Sequence, residues 1–406
     1  MKRCLGAVVL TLLLASCSWF GDEPVEVPAT LVDFKPAAVV TELWSVNTGT
    51  GPDRQYLKLA PVLHGGTIYV VDTKGHVRAL AQDSGKELWR TDLELEITGG
   101  VGFGDDLVLM ASRKGVVVAL DPGNGKELWR AQVASEVLAP PAAESGVVAV
   151  QSVDGRLTGF AAATGKRLWS VDRSEPALSL RGTATPIIVA GAVLTGFASG
   201  KILAISLQNG RVLWETTVAQ PQGRSEIERL IDVDVPMLVI GRMLLAAAYQ
   251  GKIVAVDMEG GRLLWSREIS THSALAADNT NAYVTDVRGQ VVALDLRTGA
   301  TVWKQDKMAL RRLSAPAVIG SSVAVGGKIA PAFVPGGTAS RSALPPSVAV
   351  ADFEGYVHWL AREDGRFMAR TRAARAAVLA APIADGATLY VSTQNGYLTA
   401  LRLGSE

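Results

Sequence analysis

The sequence predicts an all-β chain: an eight-bladed β-propeller whose four-stranded antiparallel blades are closed into a ring by an N-terminal strand pairing with the C-terminal blade. Three observations carry this expectation. A frame that opens on Gly and ends on Trp recurs along the chain, a second hairpin signal stands between successive copies, and each chain end holds the part of a unit that the other lacks. A single unit is too small to bury both faces of its sheet, so the repeat has to be read before anything else.

The frame reads GHVRALAQDSGKELW from Gly75 to Trp89, GVVVALDPGNGKELW from Gly115 to Trp129 and GRLTGFAAATGKRLW from Gly155. It returns as GKILAISLQNGRVLW from Gly200, GKIVAVDMEGGRLLW from Gly251 and GQVVALDLRTGATVW from Gly289. Two copies are degraded: GYVHWLAREDGRFMA, from Gly355, ends in Ala369 instead of Trp, and GYLTALRLG, from Gly396, meets the chain end. The opening Gly accepts positive φ or close backbone approach at the start of a strand. Four residues on stands Ala79, Ala119, Gly159, Ala204, Ala255, Ala293 or Ala400, with Trp359 the exception. Small residues there suit the crowded inner part of a radial array. The next position is always apolar (Leu80, Leu120, Phe160, Ile205, Val256, Leu294, Leu360, Leu401), and this alternation of faces marks a strand.

Turn residues follow, with Gly85, Gly125, Gly165, Gly210, Gly261, Gly299 and Gly365 where a hairpin needs a left-handed residue. Asp121, Asp257 and Asp295 recur in these turns and read as turn formers. The closing Trp buries about 150–250 Å² and reads as packing between neighbouring units. Between frames, APPAAESGVVAVQS from Ala139, TPIIVAGAVLTGFA from Thr185 and APIADGATLYVSTQ from Ala381 each show a Pro near the start of a hairpin and a Gly at its turn. One unit is therefore four strands. The segment ELWSVNTG, Glu42 to Gly49, is a fourth strand with its Trp44 and no frame before it, so it completes the last unit and removes two open edges.

The N-terminus reads as a processed leader. MKR is a positive n-region, LGAVVLTLLLA an apolar h-region, and Leu14-Ala15-Ser16-Cys17 resembles the lipobox at which bacterial lipoproteins are lipidated and cut before Cys. Lipidation at Cys17 provides stable membrane anchoring, and Ser18, in place of the Asp that marks inner-membrane retention in that class, favours the outer membrane. The expected organisation is a signal peptide over 1–16, a lipidated Cys with a flexible Pro-rich tether over 17–40, and the propeller over 41–406.

Composition excludes several chemistries. Lys2 and Arg3 leave with the leader, so the 40 basic residues fall just below the 39 acidic ones, and the footprint of a nucleic-acid binder is missing. Cys4 and Cys17 are the only cysteines, the first discarded and the second lipidated, which leaves no thiol nucleophile, disulfide or Cys metal ligand. The four His, at 64, 76, 272 and 358, keep no metal-binding or triad spacing, and His76 and His358 read as strand-surface residues. The repeat resembles that of periplasmic quinoprotein dehydrogenases, the enzymatic alternative. That resemblance implies pyrroloquinoline quinone and calcium, with vicinal cysteines and converging carboxylates that this sequence does not display.

Departures from the repeat point to a binding platform with no cofactor. The connections from Trp169 to Pro186 and from Trp214 to Pro236 are the longest among the regular blades, and being consecutive they belong on one rim. They contain Leu178, Leu180 and Arg181, and Arg229, Leu230, Asp232 and Asp234: apolar groups ringed by both signs of charge, as in a protein–protein hot spot. The sequence equally allows Leu178 and Leu180 to begin an inner strand, with Arg181 bridging internally to the two Asp. Together, the lipobox, the repeats and these two loops are similar to the BamB family, the lipoprotein subunit of the β-barrel assembly machinery.

The resemblance covers essentially the whole chain. It implies a non-enzymatic scaffold, held in the periplasm on the outer membrane, whose Leu178, Leu180 and Arg181 and whose Asp232 and Asp234 bind the POTRA domains of BamA and so assist folding and insertion of outer-membrane β-barrel proteins. A separable second expectation is that strand edges receive unfolded outer-membrane proteins by β-augmentation. The Gly-, Pro- and Ser-rich insertion over 326–346, in the seventh unit, reads as a hairpin loop or as an extra contact.

Overall fold

A computed structural model describes residues 26–53, 55–174, 176, 182–220, 224–225, 230–320, 328–329 and 346–404. Eight antiparallel sheets follow one another around a ring. Blades one to seven span residues 62–92, 97–132, 142–172, 187–217, 238–267, 276–305 and 317–372. The eighth is built from both chain ends: strands Ile383–Asp385, Thr388–Ser392 and Tyr397–Gly404 take Val39–Asn47 as their outermost member. Val39 stands opposite Gly404 and Asn47 opposite Tyr397.

The core is a ring of interfaces between blades. Tyr69, Val77 and Ala79 of the first blade pack on Val108, Met110 and Val118 of the second, and Leu194, Ile202 and Ala204 of the fourth pack on Leu244, Ala246 and Val256 of the fifth. Second and third strands, covered on both sides, are apolar almost throughout. Fourth strands such as Glu87–Asp92 alternate in exposure, because one of their faces looks out from the circumference.

The Trp that closes each frame is a staple. The ring nitrogens of Trp89, Trp129, Trp169, Trp214, Trp265 and Trp303 each donate to a turn carbonyl of the next blade at 2.7–2.8 Å, and Trp44 does so to Gln82 at 3.2 Å. The turn glycine is required on two counts. Gly165 has φ +68°, and a Cβ there would lie 2.6 Å from the Trp129 ring. The small residue on the third strand has a reason other than crowding near the axis: it stands directly across from the Trp of its own blade, as Ala79 does from Trp89 and Gly159 from Trp169. The seventh blade reverses the pair, with Trp359 on the third strand facing Ala369 on the fourth. The two exceptions in the sequence are thus one exchange of large for small across a strand pair. Asp121 and Asp295 accept from the backbone N–H groups two and three residues on, as turn formers do.

Two expectations change, and a third feature gains a place. Residues 26–38 do not hang as a tether: they lie against the seventh blade, Ala29 N–H bonding Ala309 O at 2.9 Å and Ala37 N–H bonding Met368 O at 2.8 Å. His358 is fully buried instead of lying on a strand surface, with its Nε2 3.1 Å from Asp352 Oδ2. The seventh-blade insertion falls between the first and second strands of that blade, and its Lys328–Ile329 pairs in parallel with Val239–Ile240 of the fifth blade. The rest of that insertion between 321 and 345 lies outside the described residues.

Candidate functional site

Antiparallel alternation gives the ring two unlike faces. One carries the blade-to-blade connections together with the turns between second and third strands, and it is called the connection face below. The other carries the remaining hairpin turns.

Both long connections lie on the connection face. The second ends in the run Leu230 to Val235. Ile231, Val233 and Val235 are buried, the first two in the core between the fourth and fifth blades. Asp232 is buried among them, whereas Leu230 and Asp234 keep part of their surface exposed. Asp232 is anchored through its backbone, its carbonyl accepting from Tyr249 N–H at 2.9 Å, and the residue is only 2% exposed. Asp234 is half-buried, and burial pushes its carboxyl above the ordinary value, opposed by the Lys58 ammonium.

The first long connection meets the second at this carboxylate. A Cβ on Gly182 would collide with Asp234 Oδ2, so the backbone just after Arg181 lies against that side chain. The innermost strand of the fourth blade is Ile187–Val189, well beyond Leu178 and Leu180. Leu178, Leu180, Arg181 and Arg229 themselves lie outside the described residues, as does Cys17.

Two residues that the sequence reading missed join the site. Lys58, on the connection from the eighth blade to the first, donates to His272 O on the connection from the fifth to the sixth. This contact spans three blades of the ring and crosses the central opening. Val235, Ala274, Ala315 and Ala381, each just before the innermost strand of its blade, pack together in one small buried cluster drawn from four successive blades. Burial and the nearby Lys58 charge both push His272 below its ordinary value. The available signal was positional: Lys58 precedes Pro61 much as Asp234 precedes Pro236, each leading into an innermost strand.

A separate cleft of about 500 Å³ opens between the sixth and seventh blades on the opposite face. Its charges are internally matched, Tyr283 O–H donating to Asp278 at 2.7 Å and Arg362 pairing with Asp278 at 3.1 Å. Among the described residues no group of three or more His, Cys, Asp or Glu is arranged to hold a metal ion.

Comparison with known proteins agrees with this architecture. A family model described as outer membrane protein assembly factor BamB matches residues 40–93 and 73–305. Curated relatives of that name include one from Pseudomonas aeruginosa, 46% identical over 97% of each chain, and one from Escherichia coli, 30% identical over 97% of each. The crystal structure of BamB from Moraxella catarrhalis superposes with a TM-score of 0.76 at 27% identity, covering 90% of this chain and all of that one. A quinohemoprotein alcohol dehydrogenase from Comamonas testosteroni, at 13% identity and a TM-score of 0.65, covers 90% of this chain and 77% of its own and shares the fold alone. The near full-length relatives, the matching family model and the eight-bladed ring establish that the chain belongs to the BamB family of outer-membrane protein assembly factors.

Proposed function

We propose that this assembly factor is a non-enzymatic scaffold, tethered to the periplasmic side of the outer membrane through lipidated Cys17, that docks on the POTRA domains of BamA through Leu178, Leu180, Arg181, Asp232 and Asp234. The observation that carries the reading is the contact between the two long connections, Gly182 against Asp234, which makes one continuous surface of segments far apart in sequence. A half-buried carboxylate of raised proton affinity, with Lys58 nearby, is a group that gains from a cationic partner. The mechanism is positional: holding the POTRA array in a productive orientation needs no catalytic residue.

Arg181→Glu is expected to weaken binding to the BamA periplasmic region by about 2–5 kcal/mol, because it breaks a desolvated charge contact and leaves its partner unpaired. Calorimetric titration of wild type and variant, at matched melting temperature, reads this directly. Equal affinities would remove these loops from the interface.

The client-binding half of the reading rests on the outer strands. Leu88, Leu128, Leu168, Leu213 and Leu264, each just before a staple Trp, are 45–54% exposed on strand edges at the circumference. Extended apolar segments fit such edges by β-augmentation. A photocrosslinking scan around the ring that yields no outer-membrane protein adducts eliminates this half and leaves the docking half standing.

A further inference from the structure

The joint between the seventh and eighth blades lacks both halves of the staple used elsewhere. Ala369 stands where the Trp would be, and the eighth blade takes its fourth strand from Val39–Asn47, so no hairpin turn joins its third and fourth strands to receive one. The N-terminal segment fills that joint. Phe34 stacks on Phe367 at 5.2 Å, and the Arg370 guanidinium lies 5.0 Å from the Phe34 ring centre. Arg370 Nη1 donates to Val32 O, and Arg311 Nη1 to Ala29 O, each at 3.0 Å. Ala38 is buried with Trp359, Met368, Ala369 and Leu403. Met368 occupies the position of the exposed leucines of the other blades, yet it is 3% exposed, because the segment covers it.

The segment also has a direction. At Ala29 it touches Ala309 and Arg311, on the connection between the sixth and seventh blades, so the chain enters the ring at the connection face. Cys17 lies nine residues before Glu26, a span of at most about 30 Å even when fully extended.

We infer that the outer edge of the seventh blade is a binding site for an extended peptide, filled by this chain's own residues 26–38, and that this strap fixes which face of the ring looks at the membrane. The inference rests on lipid anchoring at Cys17. A free tether starting near residue 40 lets the ring tumble beneath its anchor, whereas a strap docked to Ala29 holds the connection face within about 30 Å of the bilayer. The face with the proposed POTRA-docking loops is then the membrane-proximal one, with those loops two and three connections round from the point of attachment.

The mature chain has no cysteine besides the acylated one, so one introduced cysteine labels cleanly. Mature lipidated protein carrying a donor dye at Lys307→Cys, on the connection face, or at Asn279→Cys, on the opposite face, is bound to phosphatidylethanolamine–phosphatidylglycerol vesicles containing acceptor lipid. Energy transfer is expected to be greater from position 307, with the difference lost when Phe34→Ala and Arg370→Ala release the strap. Should that double variant not fold, a Gly-Ser insertion that doubles the spacer between Cys17 and Glu26 is expected to remove the difference while leaving the melting temperature unchanged. Equal transfer from both positions in the otherwise native sequence overturns the strap's orienting role. Protein that stays off the vesicles overturns the anchor and the orientation with it.

Discussion

Trp359→Ala is expected to destabilise the protein by about 3–5 kcal/mol, the range for emptying a large buried aromatic site. Trp359 is fully buried and packs with Ala38, Val378, Leu401 and Leu403 at the joint between the seventh and eighth blades. Unlike the staple tryptophans, its Nε1 has no hydrogen-bond partner among the described residues, so its contribution is volume. Ala369→Trp alone overpacks the same space and is expected to cost about 1–3 kcal/mol. The double exchange restores the large-small order of the other blades, and its cost should fall short of the sum of the single costs by about 0.5–3 kcal/mol. Denaturant midpoints at unchanged slope measure all three. Strict additivity would mean that the two side chains do not share one space.

Arg311→Met carries the second large expected effect, again about 3–5 kcal/mol, because it strands a buried carboxylate. Arg311 and Asp352 are 4% and 0% exposed and meet at 2.7 Å, and Glu354 closes the cluster from the surface. Burial alone would raise the Asp352 carboxyl, but bonds from His358 and Arg311 leave it below its ordinary value. Burial pushes His358 below its ordinary value against the pull of Asp352. Both shifts have the same sign. Each group takes up its proton in the unfolded chain at a higher pH than in the folded one, so each contributes stability that is present at neutral pH and lost on acidification. The loss begins with His358 as pH falls below about 6.5 and continues with Asp352 below about 4. Thermal melts should show the first part of this fall between about pH 7 and 5, and His358→Gln should reduce it, the remainder belonging to His272, which burial and Lys58 shift in the same direction. A fall of undiminished size in that variant would remove His358 from this role.

Much of the ring was readable because its constraints are local and repeated. A left-handed turn needs Gly, a staple needs Trp, and a covered strand needs an apolar run, so Gly125, Trp129 and Val117 each report their surroundings through residue type alone. The reason for Ala79 was not readable in this way, since its neighbour Trp89 is fixed by strand register and not by distance along the chain. The same holds for Trp359 and Ala369, which look like two unrelated lapses until the register places them opposite each other. The N-terminal segment misled for a different reason. Its Pro-rich composition matches a linker, and its order comes from Arg311, Phe367 and Arg370, more than 280 residues away. At the candidate site, Asp232 and Asp234 stood out as a departure from the repeat, whereas Lys58 and His272 come together only because the ring closes.

The eighth blade also has a consequence in time. Ser45 and Thr399, whose hydroxyls share a 2.8 Å hydrogen bond, are 354 residues apart. At a synthesis rate of about 5–20 residues per second, the first strand waits roughly 20–70 s before its partner exists. During that interval Val39–Asn47 is an unpaired edge carrying an exposed indole. Closure of this ring therefore rests on its longest-range strand pair, and a block in exporting the last strand, Tyr397–Gly404, should leave seven blades, an incomplete eighth and no closed ring.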